Sequence, residues 1–157
     1  MSELNQETLR KVSDLEEIRA LKNRYAYGAN IVDGEPGDLT AFAALFTDDA
    51  VFDVGMGVAT GPAEIEAQMK ELTVQWQSAM HYMLNPLIEI TGDNANATFT
   101  GLFAFTTREN PAPIWLCNLY TDTFRRTAAG WRFTSVSVQT VFADPAFLVG
   151  YEDQLAE

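Results

Sequence analysis

From residue 81 to residue 142 the chain is almost continuously strand-like, and this sets its fold class. The stretches "HYMLNPLIEI", "ANATFTGLFAFTT", "IWLCNLYTDTFRR" and "WRFTSVSVQTVF" are rich in β-branched and aromatic residues, which suit a pleated, half-buried surface. "TGDN", "RENPAP" and "TAAG" separate them with turn-forming residues. Four long strands in succession read as an antiparallel meander.

The segment before residue 80 has a different period. Val12, Leu15, Ile18, Leu21 and Tyr25 recur at three- and four-residue steps, which predicts one stripe of an amphipathic helix. Glu16, Glu17, Arg19 and Lys22 then fall largely on the wet side. The helix is expected to end near "VDGEPGD", where Gly34, Pro36 and Gly37 punctuate the chain. Asp38 is placed as the N-cap of a short helix, "LTAFAALF", and "DDAVFDVG" follows as a strand. "GPAEIEAQMKELTVQW" predicts a third helix, with Pro62 in its first turn and Glu64 and Glu66 near the positive end of its dipole. Helices first and strands later imply an α+β fold with the helices on one face of a curved sheet. One domain is expected over 1–157, with a core at about 12–142 and a tail at 143–157 packing back on the body.

Composition narrows the partners. The chain has 22 acidic against 10 basic residues, a net charge of -12, and no Lys/Arg cluster. Binding to nucleic acid needs a basic footprint to displace phosphate counterions, so nucleic acid is excluded as a partner, and an anionic membrane surface with it. No apolar run approaches the ~20 residues of a membrane span, and the polar start "MSELNQETLRKVSDLEEI" lacks the apolar core of a signal peptide. Cys117 is the one cysteine, so no intramolecular disulfide forms. A cytoplasmic location is expected. One His and one Cys do not build a zinc site of the usual N/S type, and the sequence has no GxGxxG, P-loop or GxSxG motif.

The order of segments resembles a known family. "EIRALKNRYA" leads to an Asp, and "LTAFAALFTDDAVFDV", a "GPAEI" helix start, a strand opening "MHYMLNPLIEI", "GDNANAT" and "GWRF" follow in turn. This is similar to the SnoaL-like group of the NTF2-like superfamily, which holds small lyases, isomerases and polyketide cyclases. The resemblance runs from about Leu15 to Val141. It implies an NTF2-like cone: a strongly curved mixed or antiparallel sheet and three helices from the N-terminal half, enclosing a pocket for a small hydrophobic substrate. It also implies a homo-oligomer, dimer or trimer, and no cofactor.

Within that group, His81 matches a histidine similar to the catalytic base of scytalone dehydratase, bile-acid 7α-dehydratase and hexachlorocyclohexane dehydrochlorinase. Asp33 matches the carboxylate that follows the first helix. An imidazole titrates near neutrality and so can take a proton at pH 7 and return it. A carboxylate on Nδ1–H fixes the tautomer and leaves Nε2 to accept. The pair implies abstraction of an activated C–H proton, followed by elimination or double-bond migration.

Three further residues are candidates for substrate binding. Tyr25 continues the helix stripe, and its hydroxyl can stabilise an oxyanion. In "IWLCNLYTDTF" the strand period of two puts Ile114, Leu116, Asn118 and Tyr120 on one face and Trp115, Cys117 and Leu119 on the other. The resemblance places Asn118 and Tyr120 in the pocket. Asn85 is a weaker candidate beside Pro86. Met83, Phe103, Phe105 and Trp76 suit an apolar wall. Gly28 and Val136 stand where the dehydrochlorinase has basic residues, so the resemblance does not extend to dehalogenation. Two other functions stay open: a ligand-binding domain without turnover, and an assembly module whose outer sheet face includes Trp115 and Phe124.

Overall fold

The computed structural model describes residues 3–145. Helix α1 spans Glu3–Ala29. Ile18, Leu21 and Tyr25 are buried, but Val12 is 53% exposed, so the stripe meets the core only from mid-helix onward. Asp14 ties down the earlier turns. Its carboxylate accepts Arg126 Nη1–H at 2.7 Å, Arg126 Nη2–H at 2.6 Å and Trp131 Nε1–H at 3.2 Å.

Lys22 corrects the expected wet face. Its side chain is 1% exposed, and Nζ lies 2.8 Å from Asp122 Oδ2. The inward-facing carboxylate supplies the counter-charge without which a buried ammonium is untenable.

The "VDGEPGD" stretch is a hairpin. Strands β1 (Ile31–Val32) and β2 (Glu35–Pro36) pair through Val32 and Glu35 around Asp33 and Gly34. Those two residues have φ of 53° and 80°, the twist a two-residue hairpin turn requires. Helix α2 (Leu39–Ala43) begins as expected, with Asp38 Oδ1 accepting Ala41 N–H at 2.8 Å. Strands β3 (Phe46–Asp53) and β4 (Val58–Thr60) precede helix α3 (Gly61–Thr73).

Helix α3 stops three residues short of Trp76. Thr73 bonds back to Lys70 O, and Val74 N–H closes a tighter turn on Glu71 O. Two adjacent β-branched residues weaken the helix there. Trp76 instead opens β5 (Trp76–Thr91), which continues into β6 (Asn94–Thr107), β7 (Ile114–Thr127) and β8 (Gly130–Ala143). His81 is therefore well inside its strand, not at the opening.

The eight strands form one sheet in the order β2-β1-β5-β6-β7-β8-β3-β4. The four long strands are the expected antiparallel meander, and β3 runs parallel to β8. The sheet is a curled half-barrel. A bulge between Leu84 and Leu87, with Asn85 at φ 51° ahead of Pro86, bends β5. Asn85 serves this bend and does not line the cavity described below.

The inner face of β7 reads Ile114, Leu116, Asn118, Tyr120, Asp122 and Phe124, all buried. Phe124 thus belongs to the core, not to the outer face that the assembly-module alternative assigns it. Trp115 and Leu119 face outward. The expected tail at 143–157 lies almost wholly outside the described residues.

Candidate active site

The concave side of the sheet and the inner faces of α1, α3 and β3 leave a cavity of about 240 Å³. Phe52, Met69, Trp76, Phe103, Phe105 and Leu116 supply much of its wall, and among the described residues no Asp, Glu, Lys or Arg lines it. The expected apolar wall is thus present except for Met83, which packs against the adjoining core. His81, Tyr25, Asn118 and Tyr120 all line this one cavity.

His81 is held on two sides. Its ring stacks on Phe103, with centroids 4.4 Å apart and planes at 26°. Asn30, the first residue after α1, bonds it from the other direction. Asn30 Oδ1 accepts the backbone N–H of His81 at 2.8 Å and lies 3.3 Å from His81 Nδ1. A backbone N–H can only donate, so the atom facing it is the amide oxygen. Nδ1 facing that oxygen must then carry the proton. Nε2 keeps its lone pair. Burial, and next the positive charge of Lys22, push the His81 pKa down to about 3. The ring is neutral at pH 7.

Asp33 does not reach this site. It sits exposed at the tip of the β1–β2 hairpin, and His81 is bonded to Asn30 in its place. The Asp33–His81 dyad expected from the sequence is therefore corrected to an Asn30–His81 pair. Asp33 faces out because the Asp-Gly step forms the turn itself, and the turn carries it past the end of the pocket wall.

On the same cavity two tyrosines meet. The rings of Tyr25 and Tyr120 meet edge to face, with centroids 6.2 Å apart and planes at 80°, and each hydroxyl acts on the titration of the other. Asn118, two residues before Tyr120 on the same face of β7, also favours the ionised form of its hydroxyl. Asn118 Oδ1 has no partner among the described residues. Burial, with the Asp122 charge adding to it, raises the Tyr120 pKa, and burial raises that of Tyr25. Both hydroxyls stay protonated.

Gly101 makes room for this arrangement. It pairs with Asn118 across β6 and β7, and a Cβ there would come within 2.3 Å of the Tyr120 ring. Only a glycine lets that ring lie flat across β6. Behind the tyrosines stands the Lys22–Asp122 pair. Lys22 Nζ is 4.0 Å from the Tyr120 ring centre and 4.2 Å from that of Tyr25, close enough for cation–π attraction. Burial pushes the Lys22 pKa down and that of Asp122 up, each opposed by the partner's charge.

Asn30, Lys22, Asp122 and Gly101 escaped the sequence reading. A single amide at a helix end carries no pattern, and burial of a lysine shows only when a strand residue is placed opposite it. Among the described residues no group of three His, Cys, Asp or Glu side chains gathers to hold a metal ion, and no helix is long and apolar enough to cross a membrane.

The solved structures of other proteins show the same architecture. A hexachlorocyclohexane dehydrochlorinase (LinA) of type 2 superposes with a TM-score of 0.78 at 19% identity, over 88% of this chain and 92% of that one. A type 3 LinA from Novosphingobium barchaimii gives 0.77 at 21% identity, over 88% and 93%. An NTF2-like protein with a cystatin-like fold from Novosphingobium aromaticivorans gives 0.70 at 27% identity, over 90% of each chain. None of the curated protein sequences matches this chain. The model of the SnoaL-like domain matches residues 10–137, a span that includes Tyr25, His81, Asn118 and Tyr120. By that match the chain belongs to the SnoaL-like domain family.

Proposed function

We propose that this protein is a cofactor-independent lyase or isomerase, acting on a small, largely apolar, oxygenated ring compound. His81 Nε2 removes a C–H proton next to an activating oxygen. Tyr25, Tyr120 and Asn118, which line the same cavity, bind that oxygen and offset the charge that builds on it. Dehydration, isomerisation and aldol-type cyclisation all share this first step. The observation that carries the reading is the placement of one bare imidazole nitrogen and one pair of contacting tyrosines on the same apolar cavity.

The test is solvent deuterium uptake. A panel of cyclic hydroxyketones is incubated with the protein in D2O and followed by proton NMR. Exchange at the carbon beside the carbonyl, lost in His81→Gln, is the expected result. No exchange with any compound that binds would overturn it.

One observation favours a second reading, a binding domain without turnover. A ring whose pKa is pushed down to about 3 is a weak base. In that case His81 accepts a hydrogen bond from a ligand O–H, and tight binding without exchange is the outcome.

A further inference from the structure

We propose that Asn30 is the positioning residue of this site: its amide oxygen locks His81 in the Nδ1–H form and so leaves the Nε2 lone pair available at the cavity. The inference rests on the reading of His81 as the working group of the pocket, but its geometry stands apart from any reaction.

Three contacts carry it. The backbone N–H of His81 orients Asn30 by donating to Oδ1 at 2.8 Å. The same oxygen then lies 3.3 Å from Nδ1. Phe103, stacked at 4.4 Å, keeps the ring plane from swinging away from that oxygen. Asn30 is itself anchored in the chain. Its N–H bonds Tyr27 O at the end of α1, and its C=O accepts Gly37 N–H at 3.1 Å, beyond the hairpin. The amide thus sits at a junction of helix, hairpin and β5.

An amide differs from a carboxylate in one respect that matters here. It fixes the tautomer as a carboxylate does, but adds no negative charge to favour the imidazolium. The groups around the ring agree with an uncharged imidazole. Tyr25 on α1 and Tyr120 on β7 are protonated, Lys22 behind them is the cation that acts on the ring and is paired with Asp122, and Asp33 on the hairpin is exposed. An uncharged ring accepts a proton or a hydrogen bond well into the acid range, where a carboxylate-paired histidine is already protonated.

The experiment uses the fact that His81 is the single histidine. Long-range 15N–1H correlation spectra of the full chain, without substrate, read both ring nitrogens directly. In the wild type Nδ1 is expected at a protonated, pyrrole-type shift and Nε2 at a pyridine-type shift, unchanged from pH 8 to pH 5. Asn30→Ala removes the lock, so the Nε2–H form appears and kcat falls on the order of 100-fold with KM little changed. Asn30→Asp, which keeps the shape, puts an anion on Nδ1. His81 then becomes an imidazolium whose titration lies above the ordinary ~6.5, and the acid limb of the kcat profile moves up with it. A wild-type spectrum showing Nε2–H would overturn the proposal without need of any variant, as would an Asn30→Asp spectrum identical to wild type. If the spectra are as expected but His81→Gln still turns substrate over, the proposed reaction fails and the role of Asn30 in setting the tautomer stands.

Discussion

His81 Nδ1 faces Asn30 Oδ1 across 3.3 Å, and that oxygen also holds the backbone N–H of His81 at 2.8 Å. One amide therefore sets both the strand position and the ring tautomer. The pair joins the end of α1 to the middle of β5, so the helix terminus and the candidate base move as one body.

The first prediction concerns pH and stability. In the fold the His81 pKa is about 3, against an unfolded value of about 6.5. Between these values the unfolded chain binds more protons than the native one. Stability from this group is fully present above about pH 6.5 and is lost as pH falls towards 3. At most about 2 kcal/mol is lost between pH 7 and pH 5. Urea unfolding at the two pH values checks this, and His81→Gln is expected to flatten that part of the slope.

Gly101 gives a second. Its replacement by Ala drives a methyl into the Tyr120 ring, which a Cβ at this site approaches to 2.3 Å. The ring has to tilt and lose its edge-to-face contact with Tyr25. A loss of about 1–3 kcal/mol is expected from overpacking, together with altered near-UV circular dichroism from the tyrosines and weaker ligand binding. An unchanged tyrosine signal would show that the close approach is not needed.

The buried ion pair gives a third. Lys22→Met leaves Asp122 charged and unpaired in the core, at a cost of about 3–5 kcal/mol. Replacing both, as Lys22→Met with Asp122→Leu, restores a neutral interior and is expected to recover most of that loss. Denaturant midpoints of the two variants decide it. If the double variant is as unstable as the single one, the pair contributes packing geometry that apolar residues do not replace.

A fourth concerns assembly. Met80, Tyr82 and Leu84 on β5, Trp115 and Leu119 on β7, and Phe142 on β8 are exposed together on the outer side of the sheet. On a chain of net charge -12 these six uncharged, largely apolar side chains make a surface that copies can share without opposing like charges. A dimer or trimer is expected in sedimentation velocity, and Leu119→Lys is expected to shift it towards monomer. A wild-type monomer at micromolar concentration would contradict this.

The fold was legible in the sequence because a period of two is hard to mistake over four long strands. The split of β7 into a face with Asn118 and Tyr120 and another with Trp115 follows from that period, and the family resemblance marks the first as the inner one. Tyr25 was legible because it continues the helix stripe, and His81 because the family resemblance marks the histidine of that strand. What failed were the junctions. Thr73 and Val74 end α3 early, which moves His81 from the start of β5 to its interior. The Asp33–Gly34 step is spent on a hairpin turn, so the residue with the expected spacing is exposed, and the amide three positions earlier takes its place. Lys22 failed for a related reason: its burial depends on Asp122, one hundred residues away in the chain, and helix periodicity carries no such information.

The account turns on an uncharged His81 held by Asn30. The most direct measurement follows the imidazole Cε1–H signal of this single histidine by NMR from pH 4 to pH 8. The account gives a signal that does not titrate in this range beyond the onset of a shift at the acid end, and that is indifferent to Asp33→Asn. An inflection at or above about 6.5 that moves down in Asp33→Asn would contradict it and return the site to a carboxylate-paired histidine.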